Sequence, residues 1–524
     1  MNNQEDSKIY KECNRLLDEG RNKEALALAD SIASPPLKAA ILIDGGLAIR
    51  KSGTVRTGTE LYEKLLTSGE FDHIYARHSL LYNAANGRSS IYKLRRIRRK
   101  TTVPTNDDDL RSAKKLYRET LNELGEEKGS FASQVLVNYG NCLSQFGRFI
   151  EAIELYQRAL VTDPTNGMAA GNLAVELEHA TWRTGNYRHE YIALAYELLE
   201  KAFSSDMHLN YGSADAVEGF KNIHSRLRQF IDLHEEPILP PKPITISDDD
   251  KSSQEYLQFC FDNGLFLNPW VGNRELSPSI TDDIAFGPIV TEAKDNYLVP
   301  ELLNILDEIK ESYSTARFLY FLSQKQSSQL DDLSARTIYH AIDSFEVKGI
   351  YTGLCKTAYV RAFDVLDKVA RIINVYFGIG KREASFWSIF AEKQSLGQEK
   401  EIRFTARKSI TDTKNYSLYA LADLCIDYFE SEHVGFKTID FRRNKITHDY
   451  LNVKLHESSK EIEGELGFIQ IDELYAQTKR VLILAKYAIL YAVSAVAISE
   501  NKKREDLDKT VSIEYQRKPG KPFL

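Results

Sequence analysis

The sequence predicts an all-α protein in two parts, a solenoid of repeated helical pairs in front and an antiparallel helical bundle behind. Three observations carry this. Glycines recur at a steady interval, with Gly20, Gly53 and Gly87 lying 33 and 34 residues apart. Long stretches of the back half place apolar residues at helical spacing, as in Tyr359, Phe363, Leu366, Ala370 and Ile373. Signals for strands are few.

At 524 residues the chain is too long for one ordinary core. Its composition, 43% hydrophobic and 27% charged with 28 tyrosines and 24 phenylalanines, is that of a folded protein. The net charge of −7 excludes a generally cationic surface, so any nucleic-acid contact must come from a local patch. Five cysteines (Cys13, Cys142, Cys260, Cys355 and Cys425) are scattered without CxxC spacing, which argues against a zinc knuckle or a disulfide framework. A reducing, cytoplasmic compartment fits, and the first residues hold no apolar stretch of signal-peptide kind. The longest apolar run, Val481 to Ile498, is interrupted by Lys486 and Ser494 and reads as a buried core helix, with no membrane involved.

The front part, residues 1–230, follows the 34-residue period of tetratricopeptide (TPR) repeats and resembles them, with a glycine expected at the turn between paired helices. The best copy runs from Ser133 to Asn166. Gly140 permits close helix approach, Gly147 makes the turn, Ala152 and Ala159 are small where helices cross, Tyr156 fills the core and Pro164 stops the second helix. Leu136 stands where that family usually has tryptophan. Gly46, Gly53, Gly58, Tyr62 and Leu65 repeat the same offsets, and a looser copy surrounds Leu173, Ala174, Gly185 and Ala193. Such an array offers a concave face to a protein partner or trigger.

From Gly87 to Gly147 the interval is 60, one period plus an insertion containing Lys93 to Lys100, six basic residues in eight. Arg95, Arg96, Arg98 and Arg99 are candidates for gripping RNA phosphates. The bland alternative, a solvated surface loop balanced by Asp107, Asp108 and Asp109, is slightly favoured.

Residues 231–300 read as a linker and bracing segment, with Pro237, Pro240, Pro241 and Pro243 within seven positions. Residues 301–505 read as the bundle and 506–524 as a tail. Its helices are expected at Leu302–Gln324, Ile350–Phe377, Tyr416–Phe429, Phe441–Leu451 and Ile471–Glu500, while Lys381–Thr413 is polar without a clear period.

The fourth of these carries Arg443, Asn444, His448 and Tyr450. On a helix, Asn444 and His448 share a face, and Arg443 can bend toward the same space. The group suits RNA cleavage without a metal or other cofactor. Histidine can move protons near neutral pH, arginine can hold a phosphorane oxygen, and asparagine can orient either. One copy supplies one histidine, so two copies across a two-fold axis would make a fuller site.

The pattern Arg-Asn-x3-His-x-Tyr within a helical bundle resembles the HEPN superfamily. The resemblance, over about Leu302 to Glu500, implies a metal-independent endoribonuclease acting as a homodimer, of the toxin or abortive-infection (antiviral defence) kind. Arg443, Asn444 and His448 then take the catalytic positions, and Tyr450 lines the site or is the residue modified by a partner antitoxin. Asp364 or Asp367 is a candidate for orienting Arg443, although an ordinary pair of Asp364 with Lys368 is the favoured reading. Arg183…His189 and Arg228…His234 fit a looser form of the motif and read as accidental. The alternative function is a non-enzymatic adaptor, with repeats that bind a partner and a bundle that dimerises or binds a nucleotide.

Overall fold

The computed structural model describes residues 2–69, 76–98, 103–183, 189–209, 214–234, 238–239, 251–268, 282, 284–290, 298–325, 327–339, 346–396, 401–430, 446–447, 451–455 and 468–505. The chain divides into two compact units, residues 1–180 with 189–239, and residues 181–188 with 240–524.

The described residues of the first unit are mostly helical, with one isolated bridge between Asn166 and His208. Its helices are α1 (Asn2–Asp18), α2 (Asn22–Ala29), α3 (Pro35–Ala48), α4 (Ser52–Ser68), α5 (Arg77–Arg98), α6 (Asp108–Leu124), α7 (Ser130–Gln145), α8 (Phe149–Thr162), α9 (Gly167–Arg183), α10 (His189–Ala202) and α11 (Ala214–Asp232). From α1 to α8 most helices pack on the next in the chain, the arrangement of a helical solenoid.

The pair α7–α8 follows the expected offsets closely. Gly147 makes the turn at φ +82°, a conformation glycine adopts without strain. Gly140 faces Tyr156 so closely that an added Cβ would lie 2.5 Å from Cε1 of the ring. Tyr156 is buried and donates its hydroxyl to Asn141 Oδ1 at 2.8 Å, while Ala152 and Ala159 are fully buried. Ser133 Oγ donates to the Ala159 carbonyl at 2.8 Å and accepts from Asn166 Nδ2 at 2.9 Å, joining both ends of the copy.

The other glycines correct the expectation. Gly20 turns the chain between α1 and α2 at φ +75°. Gly53, however, lies in the first turn of α4 facing open space, and the preceding bend is taken by Arg50 at φ +54°. Gly87 sits inside α5, where it lets α5 approach Thr59 and Ile43. One glycine spacing therefore serves two different physical needs. The basic run is likewise no loop: Lys93 to Arg98 is the last turn and a half of α5.

In the second unit α12 (Lys251–Asp262) is followed by α13 (Leu298–Gln324), α14 (Ser328–Ala335), α15 (Ile350–Tyr376), the short α16 (Phe386–Phe390), β1 (Ala391–Leu396), β2 (Glu401–Ala406), the short α17 (Lys408–Thr411), α18 (Tyr416–Glu430), β3 (Asn452–Lys454), β4 (Phe468–Gln470) and α19 (Ile471–Glu505). Helices α13, α15, α18 and α19 form the bundle, with α15 and α19 at its centre. The predicted stripe of α15 is its core face: Tyr359, Phe363, Leu366, Ala370 and Ile373 are all buried.

Polar bonds fix helix register. Tyr320 of α13 donates to the Tyr475 carbonyl of α19 at 3.2 Å, and Tyr475 donates back to the Ser323 carbonyl at 2.9 Å. By length and composition α19 could cross a membrane, yet 78% of its apolar window is buried within the fold. Its buried Lys486 donates to the Gly264 carbonyl at 3.0 Å, which ties the end of α12 to the bundle core.

Two features of this unit went unforeseen. Lys381–Thr413 holds the antiparallel hairpin β1–β2, in register Ala391 opposite Ala406 through Leu396 opposite Glu401. A second small sheet pairs β3 in parallel with β4. The segment expected as linker and brace contributes described residues that pack on α13 and α19. Asp282 accepts from Arg317 Nη1 and Nη2 at 2.9 and 2.7 Å and from the Leu267 amide at 2.7 Å, and Val290 N donates to Glu500 Oε2 at 2.6 Å.

Candidate active site

The sequence-predicted site residues Arg443, Asn444, His448 and Tyr450 lie outside the described residues. Within the expected helix Phe441–Leu451, Ile446 and Thr447 are helical, and Leu451 already lies outside it, leading into β3. What the structure gives is the scaffold on both sides of the motif.

On the entry side, α18 begins at an Asn415 cap. The Asn415 Oδ1 accepts from the amides of Ser417 and Leu418 at 3.0 and 3.3 Å, satisfying the first turn. Asn415 Nδ2 reaches the Ala495 carbonyl at 2.8 Å, and Ser417 Oγ meets Ser494 Oγ at 2.9 Å, so the start of α18 is pinned to α19. Near its other end Tyr428 packs on Phe363 of α15, ring centroids 6.3 Å apart. Burial pushes the Cys425 thiol well up, which keeps it neutral and structural.

On the exit side, three separate contacts hold the chain that leaves the motif. Leu451 and Val453 are buried, and Val453 lies in the β3–β4 pair that runs directly into α19. Val347 N donates to the Val453 carbonyl at 2.7 Å, and Glu346 forms an antiparallel bridge with Lys454. Lys356 of α15 donates its ammonium to the Leu451 carbonyl at 2.5 Å. Burial lowers the pKa of Lys356, and the charge of Lys348 lowers it further; Lys348 is itself 2.7 Å from Glu346 Oε2. Lys356 thus places an ammonium on the carbonyl one residue beyond Tyr450 in the chain, near the Lys348–Glu346 ion pair.

The orienting candidates are engaged locally. Asp367 Oδ1 accepts from the Phe386 amide at 2.9 Å, at the start of α16. Asp364 is half-buried on α15, and Lys368 gives its ammonium to Glu308 Oε1 and Ser312 Oγ, both at 2.6 Å.

Of the candidate RNA-gripping residues, Arg95 is ion-paired with Asp107 and Asp109, and Arg96 donates to Gln145 Oε1. Arg98 is exposed at the end of α5, and Arg99 lies outside the described residues. Asp109 also meets Arg56 and Arg88, at 3.0 and 2.7 Å, so Arg95 belongs to a half-buried charge network that joins α4, α5 and α6. In the decoy pair of the front unit, His234 Nδ1 lies 2.8 Å from the Phe230 carbonyl and Arg228 is only 3.8 Å from Asp232, both ordinary local contacts.

Sequence reasoning missed Lys356 and Lys348. The one signal for Lys356 is a lysine directly beside the buried Cys355 and Tyr359 stripe of α15, which in sequence alone looks like any cation on the rim of an amphipathic helix.

No curated protein matches the chain. Among solved structures, a crystal structure of BtubC (BKLC) from P. vanneervenii aligns at 14% identity, covering 47% of this chain and 97% of that one with a TM-score of 0.25, a likeness too slight to carry an argument. A protein-family model described as LA2681-like HEPN matches the back part, residues 294–499, a span that contains α13 through most of α19 and the positions of the Arg443–Tyr450 motif, and supports a HEPN domain there.

Proposed function

We propose that this chain is a metal-independent endoribonuclease whose HEPN domain cuts RNA, a toxin or abortive-infection effector governed by the helical array in front. One observation carries the reading: the Arg443-Asn444-x3-His448-x-Tyr450 motif falls within the span that matches the HEPN family. His448 moves the proton between the 2′-hydroxyl and the leaving 5′-oxygen, Arg443 neutralises charge on the phosphorus oxygens, and Asn444 holds the imidazole or a phosphate oxygen. Two copies in a homodimer supply two histidines, one as base and one as acid. The TPR-like array binds a protein trigger or partner, and Tyr450 is the place where an antitoxin would silence the site.

The test is cleavage of labelled single-stranded RNA by wild type and His448→Ala, with and without EDTA, followed by end-group analysis. Loss of cutting in the variant, a 2′,3′-cyclic phosphate product and indifference to EDTA are expected. Equal cutting by both proteins overturns the assignment. Inactivity of the wild type on every RNA, together with binding of a protein by the front unit, favours the adaptor reading.

A further inference from the structure

The geometry points to Lys356 as a positioning residue for the Arg443–Tyr450 motif, acting through its hydrogen bond to the Leu451 carbonyl; this rests on the nuclease reading. Leu451 is one residue past Tyr450 and three past His448, and it is buried. A carbonyl there that met no donor would cost free energy, and the ammonium that satisfies it comes from α15, the central helix of the bundle. Strand β4 and residues 346–347 hold Asn452–Lys454 through backbone pairing. Lys356 adds a side-chain tie from a core helix at Leu451.

The placement of a lysine here needs explanation. A half-buried ammonium is a costly way to satisfy one carbonyl, and a second cation, Lys348, stands close enough to lower its pKa. A neutral donor would serve a purely structural bond with less penalty. An ammonium fixed one residue past a motif that must bind polyanion gives the bond a second use, because its charge adds to the local potential that attracts a phosphate backbone, whereas Lys348 is itself paired with Glu346. Lys356 does not touch the reacting atoms on this account.

The experiment compares Lys356→Met, Lys356→Arg and His448→Ala in the full chain. Methionine keeps the stem and removes the charge and donor, so folding, checked by thermal melting, is retained. Hydrogen exchange of the peptide covering 443–455 is expected to quicken in Lys356→Met and to stay near wild type in Lys356→Arg. On labelled single-stranded RNA, kcat of Lys356→Met is expected to fall by about 10²-fold with KM little changed, the size of loss that a small misplacement of catalytic groups produces, and Lys356→Arg restores most of it. Unchanged exchange in Lys356→Met overturns the proposal, as does wild-type kcat in that variant. If the wild type does not cut, or cuts no better than His448→Ala, the nuclease reading falls, and the exchange comparison alone decides whether Lys356 holds the segment.

Discussion

Replacing Arg317 by Met removes the centre of a buried network in the second unit. The guanidinium is 6% exposed and makes four bonds: Nε donates to Tyr256 Oη, Nη2 to Asp282 Oδ2, and Nη1 to both Asp282 Oδ1 and the Leu265 carbonyl. Burial works against its charge, and the hydrogen bond and charge of Asp282 outweigh that, holding its pKa above the ordinary value. Rings of Tyr256, Phe266 and Tyr313 lie 5.4–5.7 Å from the guanidinium carbon. Without Arg317, the Asp282 carboxylate, 21% exposed, keeps only the Leu267 amide among its described partners. Leaving one member of a buried ion pair alone costs about 3–5 kcal/mol. The exposed Arg371–Glu301 pair, 3.4 Å long and 62% and 44% exposed, is by contrast worth at most about 1 kcal/mol. Urea titration followed by hydrogen exchange at α13 reads this unit separately from the other. Arg317→Met should lose about 3–5 kcal/mol and Arg371→Met under about 1 kcal/mol, while Arg317→Met with Asp282→Asn should lose less than Arg317→Met alone, because the orphaned charge is gone. A loss under about 1 kcal/mol for Arg317→Met, or a double variant worse than the single one, would refute the reasoning.

Gly140→Ala is expected to destabilise the first unit by roughly 1–3 kcal/mol, since its methyl would press on the buried Tyr156 ring; Gly53→Ala, which faces open space in α4, should raise stability by up to about 1 kcal/mol. Thermal melting of each variant checks the opposite signs. Burial pushes the thiols of Cys260 and Cys355 up to about 11 and the Tyr256 phenol up to about 12. A raised pKa favours the neutral form in the folded state, so the contribution is complete below pH 9 and is lost between pH 9 and 11 for the thiols, and between 10 and 12 for the phenol. Each thiol shift corresponds to about 2.7 kcal/mol, and a melting temperature of the second unit that stays level from pH 9 to 11 would contradict it. EDTA is expected to leave RNA cleavage unchanged, measured as the initial rate on a labelled oligonucleotide.

The helices were legible because their evidence is local. The α15 stripe and the Gly140–Tyr156 contact each follow from residues a few turns apart. The hairpin β1–β2 was not, since Ala391–Leu396 and Glu401–Ala406 are largely polar and owe their pairing to one another and to α18, not to an alternating pattern. Gly87 misled for a different reason: a glycine needed for close packing and one needed for a turn are the same letter. Arg443 and His448 are proposed from their motif and its resemblance to the HEPN superfamily, whereas nothing in the sequence singles out Lys356, because its partner is a backbone carbonyl 95 residues away.

Helix α19 has a consequence for when the protein comes into being. It packs on α13, α15 and α18, and it follows all three and the motif in chain order. During synthesis the ribosome therefore releases Arg443 to Tyr450 while the apolar faces of those helices are still uncovered, and the bundle closes only once residues 471–505 have left the exit tunnel. On the nuclease reading, a nascent chain carries every catalytic letter and no assembled site, so the messenger being translated meets an unfinished enzyme.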